Sequence, residues 1–178
     1  MKRLKRFVLL LAAGGSAIAL LVYPATLSAA DGKPTRIAIT DAQQTLDFPA
    51  GRACSFAFAA TPVSNNSYVK IYPVDENGDF RVIGTGTLKE QLTNVDTGKS
   101  IIVNISGPAT QINYADGSSV VTTGGSVLVA FLAPFNPAGP ATYIFTGRTV
   151  MSFAPPFGLL TLVSTTDNKP FDVCAALS

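Results

Sequence analysis

Short runs in which apolar and polar residues alternate, each ended by turn residues, are the feature that most constrains this 178-residue chain. In the run 100–106 the alternate residues 101, 103 and 105 are Ile, Val and Ile, and Gly107-Pro108 ends the run. A period of two residues is that of a strand with one buried face. Beyond residue 30 no segment has a convincing helical period, and Gly and Pro are too frequent for long helices. The sequence therefore predicts an all-β fold.

About nine or ten antiparallel strands are predicted, spaced about 8–14 residues apart. Val127–Leu132 is apolar at every position, which indicates a strand covered on both faces. A bend is predicted at Gly84 and Gly86. The other predicted strands include the runs 53–59, 80–85, 119–123, 141–153 and 171–175. Such a series forms an up-and-down barrel of the calycin-like kind or, alternatively, a β-sandwich.

The first 30 residues have the order of a secretory signal peptide. Four basic residues at positions 2–6 precede an apolar run over 7–23, and small residues follow Pro24. This order predicts a signal-peptide helix, cleavage after Ala30, and a secreted, extracellular protein whose mature form does not span the membrane. The alternative is an uncleaved anchor, because a spanning helix needs about 20 apolar residues and this run is only slightly shorter.

The two cysteines, Cys54 and Cys174, are 120 residues apart and both lie in the exported part. Export to an oxidising space predicts a disulfide between them. Cys54 falls in the first strong predicted strand and Cys174 in the last. Those two strands are neighbours in a closed barrel, which favours the barrel, although a sandwich can also place its terminal strands side by side.

Charged residues make up only 13% of the chain, against about 25% in an ordinary globular domain. The 13 basic residues outnumber the 11 acidic ones only because of the leader, so the remaining chain is slightly acidic. This composition argues against disorder and against a nucleic-acid partner. After the signal peptide at 1–30, we expect an N-terminal arm or edge strand at 31–47 and a single all-β domain at 48–178.

The residue types predict no catalytic residue, no metal site and no cofactor. The chain has no His, whereas a Ser or Cys nucleophile usually recruits a His base. Two cysteines supply only half of a tetrahedral zinc shell. Asp75, Asn77 and Asp79 match the first ligand positions of a calcium loop, but Phe80 stands where that loop needs Gly. A solvated hairpin turn is the simpler interpretation.

Four residues are candidates for binding a ligand: Glu90, Arg148, Tyr114 and Tyr143. Glu90 is the acid most deeply embedded in a strand pattern. Arg148 interrupts the apolar run 141–153, so it points either to solvent or into a barrel lumen beside a ligand or a buried acid. The two tyrosines represent an aromatic content that lines a hydrophobic pocket or fills a core.

Several turn and strand-end motifs occur in a fixed succession: Asp96-Thr97-Gly98-Lys99-Ser100, Asn104-Ile105-Ser106-Gly107-Pro108, Asp116-Gly117, Thr146-Gly147-Arg148 and the ending Asp172-Val173-Cys174-Ala175-Ala176-Leu177. Over about residues 48–177 this succession resembles small secreted actinobacterial β-proteins, a group with no assigned activity. The resemblance implies export, a shared fold and a Cys near each end. It implies no substrate, cofactor or catalytic residue.

Two functions of different classes follow. The first is a non-enzymatic extracellular binding module for a small apolar ligand or for a cell-envelope or protein partner. The alternative is a calycin-like barrel enzyme of the cyclase or isomerase type, with an aromatic cavity and few ionisable groups. A lumen that holds Arg148 or Glu90 beside tyrosines would favour the enzyme. An interior filled by Phe, Ile and Val would leave surface binding.

Overall fold

The computed structural model describes residues 32–155 and 159–178, so the predicted signal peptide and its cleavage after Ala30 lie outside the described residues. No helix within those ranges is long and apolar enough to cross a membrane. The elements in chain order are β1 (Thr35–Ala38), α1 (Asp41–Gln44), β2 (Leu46–Phe48), β3 (Phe58–Asn65), β4 (Tyr68–Ile71), β5 (Phe80–Thr85), β6 (Leu88–Asn94), β7 (Ser100–Asn104), β8 (Ala109–Asn113), β9 (Ser119–Thr123), β10 (Ser126–Phe131), β11 (Ala141–Thr146), β12 (Thr149–Ala154), β13 (Leu159–Thr165), β14 (Phe171–Asp172) and α2 (Val173–Leu177).

The strands form three sheets, and every strand pair in them is antiparallel. The seven-stranded sheet has the order β1-β4-β5-β8-β9-β12-β13, the four-stranded sheet β2-β3-β6-β7, and the three-stranded sheet β10-β11-β14. The predicted all-β fold is confirmed. Within the described ranges the sheets do not close into a barrel. Segment 32–47 supplies β1 and all but the last residue of β2, and these two strands are edge strands of two different sheets.

Strand β10 lies between two hydrophobic cores because its side chains alternate between them. Residues 127, 129 and 131 pack into one core, called here the methionine core, with buried side chains of β9, β11, β12 and β13: Val121, Phe145, Met151 and Leu160. Residues 128 and 130, and Leu132 just beyond the strand, pack on the opposite face into the disulfide core, which includes Cys54, Phe58, Leu92, Ile144 and Leu177. The prediction of a strand covered on both faces is confirmed.

The turn at Asp75–Asp79 joins β4 and β5 as an antiparallel pair, as predicted. The Asp75 carboxylate accepts hydrogen bonds from the backbone N–H groups of Asn77 and Asp79 at 2.9 and 3.0 Å. The Asp79 carboxylate accepts one from the N–H of Ala115 in the β8–β9 turn at 2.8 Å. These carboxylates therefore serve to organise two neighbouring turns.

The predicted disulfide is confirmed: Cys54 and Cys174 are bonded, with their Cα atoms 5.5 Å apart. The secondary structure predicted for both cysteines, a strand in each case, is wrong. The strand expected at 53–59 begins only at Phe58, and Cys174 lies in α2 rather than in a strand. Helix α2 begins there because the Asp172 carboxylate accepts the Ala175 N–H at 2.9 Å, a favourable N-cap. The bond joins an irregular segment to a helix, so it does not indicate that two strands are neighbours.

The predicted strand 141–153 is two strands, β11 and β12, which lie in different sheets. The chain changes sheets at Gly147, whose φ of +85° is a conformation that other residues rarely adopt. The Asp167 carboxylate fixes this turn, since it accepts hydrogen bonds from the N–H and the hydroxyl of Thr146 at 2.8 and 2.9 Å. Arg148 therefore belongs to an exposed turn and not to a strand.

Candidate functional site

The four residues predicted to bind a ligand do not converge. Arg148 is exposed in the turn between β11 and β12, and Tyr114 is 38% exposed in the turn after β8. Tyr143 is half-buried against the methionine core, with its ring centroid 6.2 Å from that of Phe131. Glu90 is fully buried on β6. Within the described residues no hydrogen bond or ring contact joins any two of the four.

Glu90 is an unpaired acid inside the disulfide core. Strand β6 turns Leu88, Glu90 and Leu92 toward the interior, and the two leucines belong to that core. The residues directly opposite Glu90 on the neighbouring strands are Pro62 and Val103. Neither carboxylate oxygen has a hydrogen-bond partner among the described residues. Burial in these apolar surroundings raises the pKa of Glu90 to about 7.

A cavity lies at the corners where the chain crosses between sheets. Three connections meet there: β5 to β6 at Gly86, β7 to β8 at Gly107, and β9 to β10 at Gly124. Together with Gln44 of α1 and Tyr68 of β4, these corners line a cavity of about 80 Å³, called here the corner cavity. Each connection leaves one sheet and enters another, so the cavity sits where the sheets diverge.

The corners approach so closely that side chains are excluded from them. A Cβ atom on Gly107 would lie 1.9 Å from the carbonyl oxygen of Gly124, and one on Gly86 would lie 2.2 Å from that of Asn66. Two backbone hydrogen bonds join the corners: Gly124 donates to Pro108 at 2.8 Å, and Ser126 donates to Ser106 at 3.2 Å. Glycine is thus required where two backbones touch.

The lining of the corner cavity is neutral. Apolar side chains from several strands form part of its wall, including Val69, Leu88, Ile105, Val127 and Leu128. Serine and threonine hydroxyls and glycine backbone form most of the rest, and the described lining includes no Asp, Glu, Lys or Arg. Some of these hydroxyls are already engaged; that of Ser106, for example, accepts the N–H of Leu88 at 2.9 Å.

Gln44 is a buried polar side chain of this lining whose amide oxygen lacks a partner among the described residues. It is 5% exposed, and its Oε1 atom has no hydrogen-bond donor among the described residues. The capping box of α1, formed by Thr40 and Gln43, fixes the helix that carries it. Leu46 then begins β2 opposite Ala60, so Gln44 is held between a capped helix and a paired strand. An unsatisfied buried amide oxygen costs about 1–3 kcal/mol.

The volume of the corner cavity limits what it can hold. A cavity needs about 10–15 Å³ to hold a single water, and an engineered cavity of about 150 Å³ binds benzene. A cavity of about 80 Å³ therefore accommodates several waters or a group of a few non-hydrogen atoms. A whole lipid or isoprenoid does not fit inside it, although the end of one does.

Comparison with protein-family models, curated proteins and solved structures finds no match for this chain, so the resemblance to secreted actinobacterial β-proteins stays a prediction. In the part of the chain that the structure describes, no group of three or more His, Cys, Asp or Glu residues is placed to hold a metal ion. The sequence predicted a bend at Gly84 and Gly86 and the end of a strand at Gly107; Gly84 lies within β5, whereas Gly86 and Gly107 lie in the connections. Sequence reasoning missed Gln44, since no periodicity or motif distinguishes a glutamine in a segment expected to be an arm.

Proposed function

We propose that the protein is a non-enzymatic binding module that acts outside the cytoplasm and holds a small neutral ligand, or the end of a larger one, in the corner cavity. The observation that carries the proposal is the neutral lining of the cavity, built from glycine backbone, hydroxyls and apolar side chains. Ligand sites combine an apolar surface with a few polar groups that fix orientation. General acid–base catalysis needs a titratable group at the reacting atoms, and the described lining offers only the phenol of Tyr68.

The packing of the sheets supports a layered scaffold, closer to the sandwich than to the barrel. The three-stranded sheet has one face against the disulfide core and the other against the methionine core. Sheets that pack face to face enclose a filled interior, which leaves room for a ligand only at their ends and edges. The corner cavity occupies such an end.

The disulfide between Cys54 and Cys174 supports an extracellular location, because such bonds persist in oxidising compartments. The signal-peptide pattern of residues 1–30 independently predicts export. A secreted module with few charges suits a neutral ligand, such as a small molecule or an exposed group of the cell envelope.

The calycin-like enzyme receives no comparable support. The enzyme hypothesis requires Glu90 or Arg148 to lie beside tyrosines in one barrel lumen. Glu90 lies in the disulfide core, whereas Tyr143 packs against the methionine core and Arg148 lies in an exposed turn. Neither Glu90 nor Arg148 lines the corner cavity.

Native mass spectrometry and thermal-shift measurements on the purified protein test the proposal. We expect short neutral molecules to raise the melting temperature, and Ala109→Leu, which adds three carbons to a residue of the cavity wall, to abolish the shift. Ala175→Leu is the matched control, because Ala175 is an exposed residue of α2. The proposal fails if no molecule co-purifies and no compound in a panel of short alcohols, amides, lipids and isoprenoids shifts the wild-type protein. It also fails if Ala109→Leu responds like Ala175→Leu.

A further inference from the structure

We propose that Gln44 makes the corner cavity selective for ligands that carry a hydrogen-bond donor, specifically a hydroxyl or amide N–H on a short apolar chain. This inference rests on the proposed function and names the chemical class that the same cavity accepts. Gln44 lines the cavity, is 5% exposed, and keeps an amide oxygen for which the described residues supply no donor. A ligand that brings the missing donor removes the cost of that orphaned oxygen.

Several hydroxyl donors of the cavity lining are already engaged with other acceptors. The Ser67 hydroxyl donates to the Asn65 side chain, and the Ser106 hydroxyl donates to the Asn104 side chain. The Thr123 hydroxyl donates to the Thr149 carbonyl. A ligand that can only accept hydrogen bonds therefore leaves the Gln44 oxygen unsatisfied, whereas a donor pairs with it.

The Gln44 amide can turn toward a ligand without a change in the fold. Its oxygen is covered in the unliganded protein, so a bound donor reaches it by rotation of the amide about its terminal bond. Terminal torsions of this kind have broad, shallow energy profiles. The backbone of Gln44 stays fixed meanwhile, because the Thr40–Gln43 capping box and the pairing of β2 with β3 hold it on both sides.

Two isomeric probes isolate the effect of a hydrogen-bond donor on binding. 1-Butanol and methyl propyl ether have the same atoms, but only the alcohol donates a hydrogen bond. We expect titrations followed by the backbone amide signals of Gly84, Gly107 and Gly124 to give about tenfold tighter binding of the alcohol, which is the usual effect of one hydrogen bond. In Gln44→Met, which keeps the length of the side chain, we expect the two affinities to become equal.

Gln91→Met is the matched control, because Gln91 is an exposed residue of β6 and its replacement should preserve the tenfold preference. Loss of an unsatisfied buried polar group does not threaten folding, so Gln44→Met should remain folded. Equal binding of both probes to the wild-type protein would overturn the selectivity and leave the proposed function standing. A preference that survives in Gln44→Met would overturn the role of this residue. The absence of any shift at the three glycines would overturn both proposals.

Discussion

Replacement of Glu90 by Gln tests whether an unpaired carboxyl inside the disulfide core governs the pH dependence of stability. Burial raises the pKa of Glu90 from its ordinary 4.5 to about 7, so the folded protein holds this proton more tightly than the unfolded chain does. The contribution of Glu90 to the free energy of unfolding is therefore fully present below about pH 4.5, and it is lost as the pH rises to about 7. The difference between these two pKa values corresponds to about 3 kcal/mol in the free energy of unfolding, since a tenfold change in proton affinity is about 1.4 kcal/mol.

Urea unfolding at several pH values between about 4 and 8 measures this contribution. We expect the free energy of unfolding of the wild-type protein, relative to that of Glu90→Gln, to fall by about 3 kcal/mol across this range. The comparison with Glu90→Gln removes the effects of other acids, such as Asp116 and Asp167, whose lowered pKa values act at more acidic pH and in the opposite sense. Glu76→Gln, which changes the other, exposed glutamate of the chain, should reproduce the wild-type curve. A constant difference between wild type and Glu90→Gln at all pH values would show that Glu90 is solvated or paired, and would refute the reasoning.

Two further changes test the scaffold. Replacement of Cys54 and Cys174 by Ala opens a loop of 120 residues and should lower the free energy of unfolding by about 4–5 kcal/mol, as measured by urea unfolding of both proteins; a loss below about 1 kcal/mol would contradict the expected constraint on the unfolded chain. Gly107→Ala places a Cβ 1.9 Å from the carbonyl oxygen of Gly124 and should cost about 3 kcal/mol, whereas Gly98→Ala, with open space around its Cβ, should cost about 1 kcal/mol. Equal melting temperatures for these two variants would show that the corner can relax.

The elements that the sequence predicts best are those whose alternation and turn chemistry agree. The strands 80–85 and 119–123 match β5 and β9 residue for residue, and turn residues flank both. The fully apolar run 127–132 also becomes the strand with two buried faces. In these places the local pattern and the global packing require the same conformation, so the local pattern is sufficient.

The errors arise where a long-range contact decides the local structure. Alternation over 53–59 resembles a strand, but the Ala53 carbonyl accepts the hydroxyl of Thr142 at 2.9 Å instead of a neighbouring strand's N–H. The run 141–153 alternates throughout, yet Gly147 turns the chain into another sheet. The alternation of apolar and polar residues along a segment reveals neither a distant hydrogen-bond partner nor a change of sheet.

In the candidate site, too, local features can be predicted from the sequence, whereas features that depend on long-range contacts cannot. The position of Glu90 in an alternating strand pointed to it as the most embedded acid, and it is fully buried. The corner cavity needs three connections, far apart in the sequence, to meet in space. Gly86 is visible in the sequence as a local bend and Gly107 as the end of a strand. Nothing in the sequence tells that these connections meet, or that Gln44 lines the space between them.

The low charge of the chain and the position of its cavity have a common origin in the three-stranded sheet. A sheet with two buried faces requires strands that are apolar at nearly every position, as β10 is, and the sheets on either side must each supply a matching apolar face. This demand lowers the charged fraction and fills the interior with close-packed side chains. The corner cavity lies where packing side chains are missing, at corners where Gly86 and Gly107 are required because two backbones touch. The binding site of such a protein is therefore expected at its glycine corners, with its polarity set by the one buried amide that reaches them.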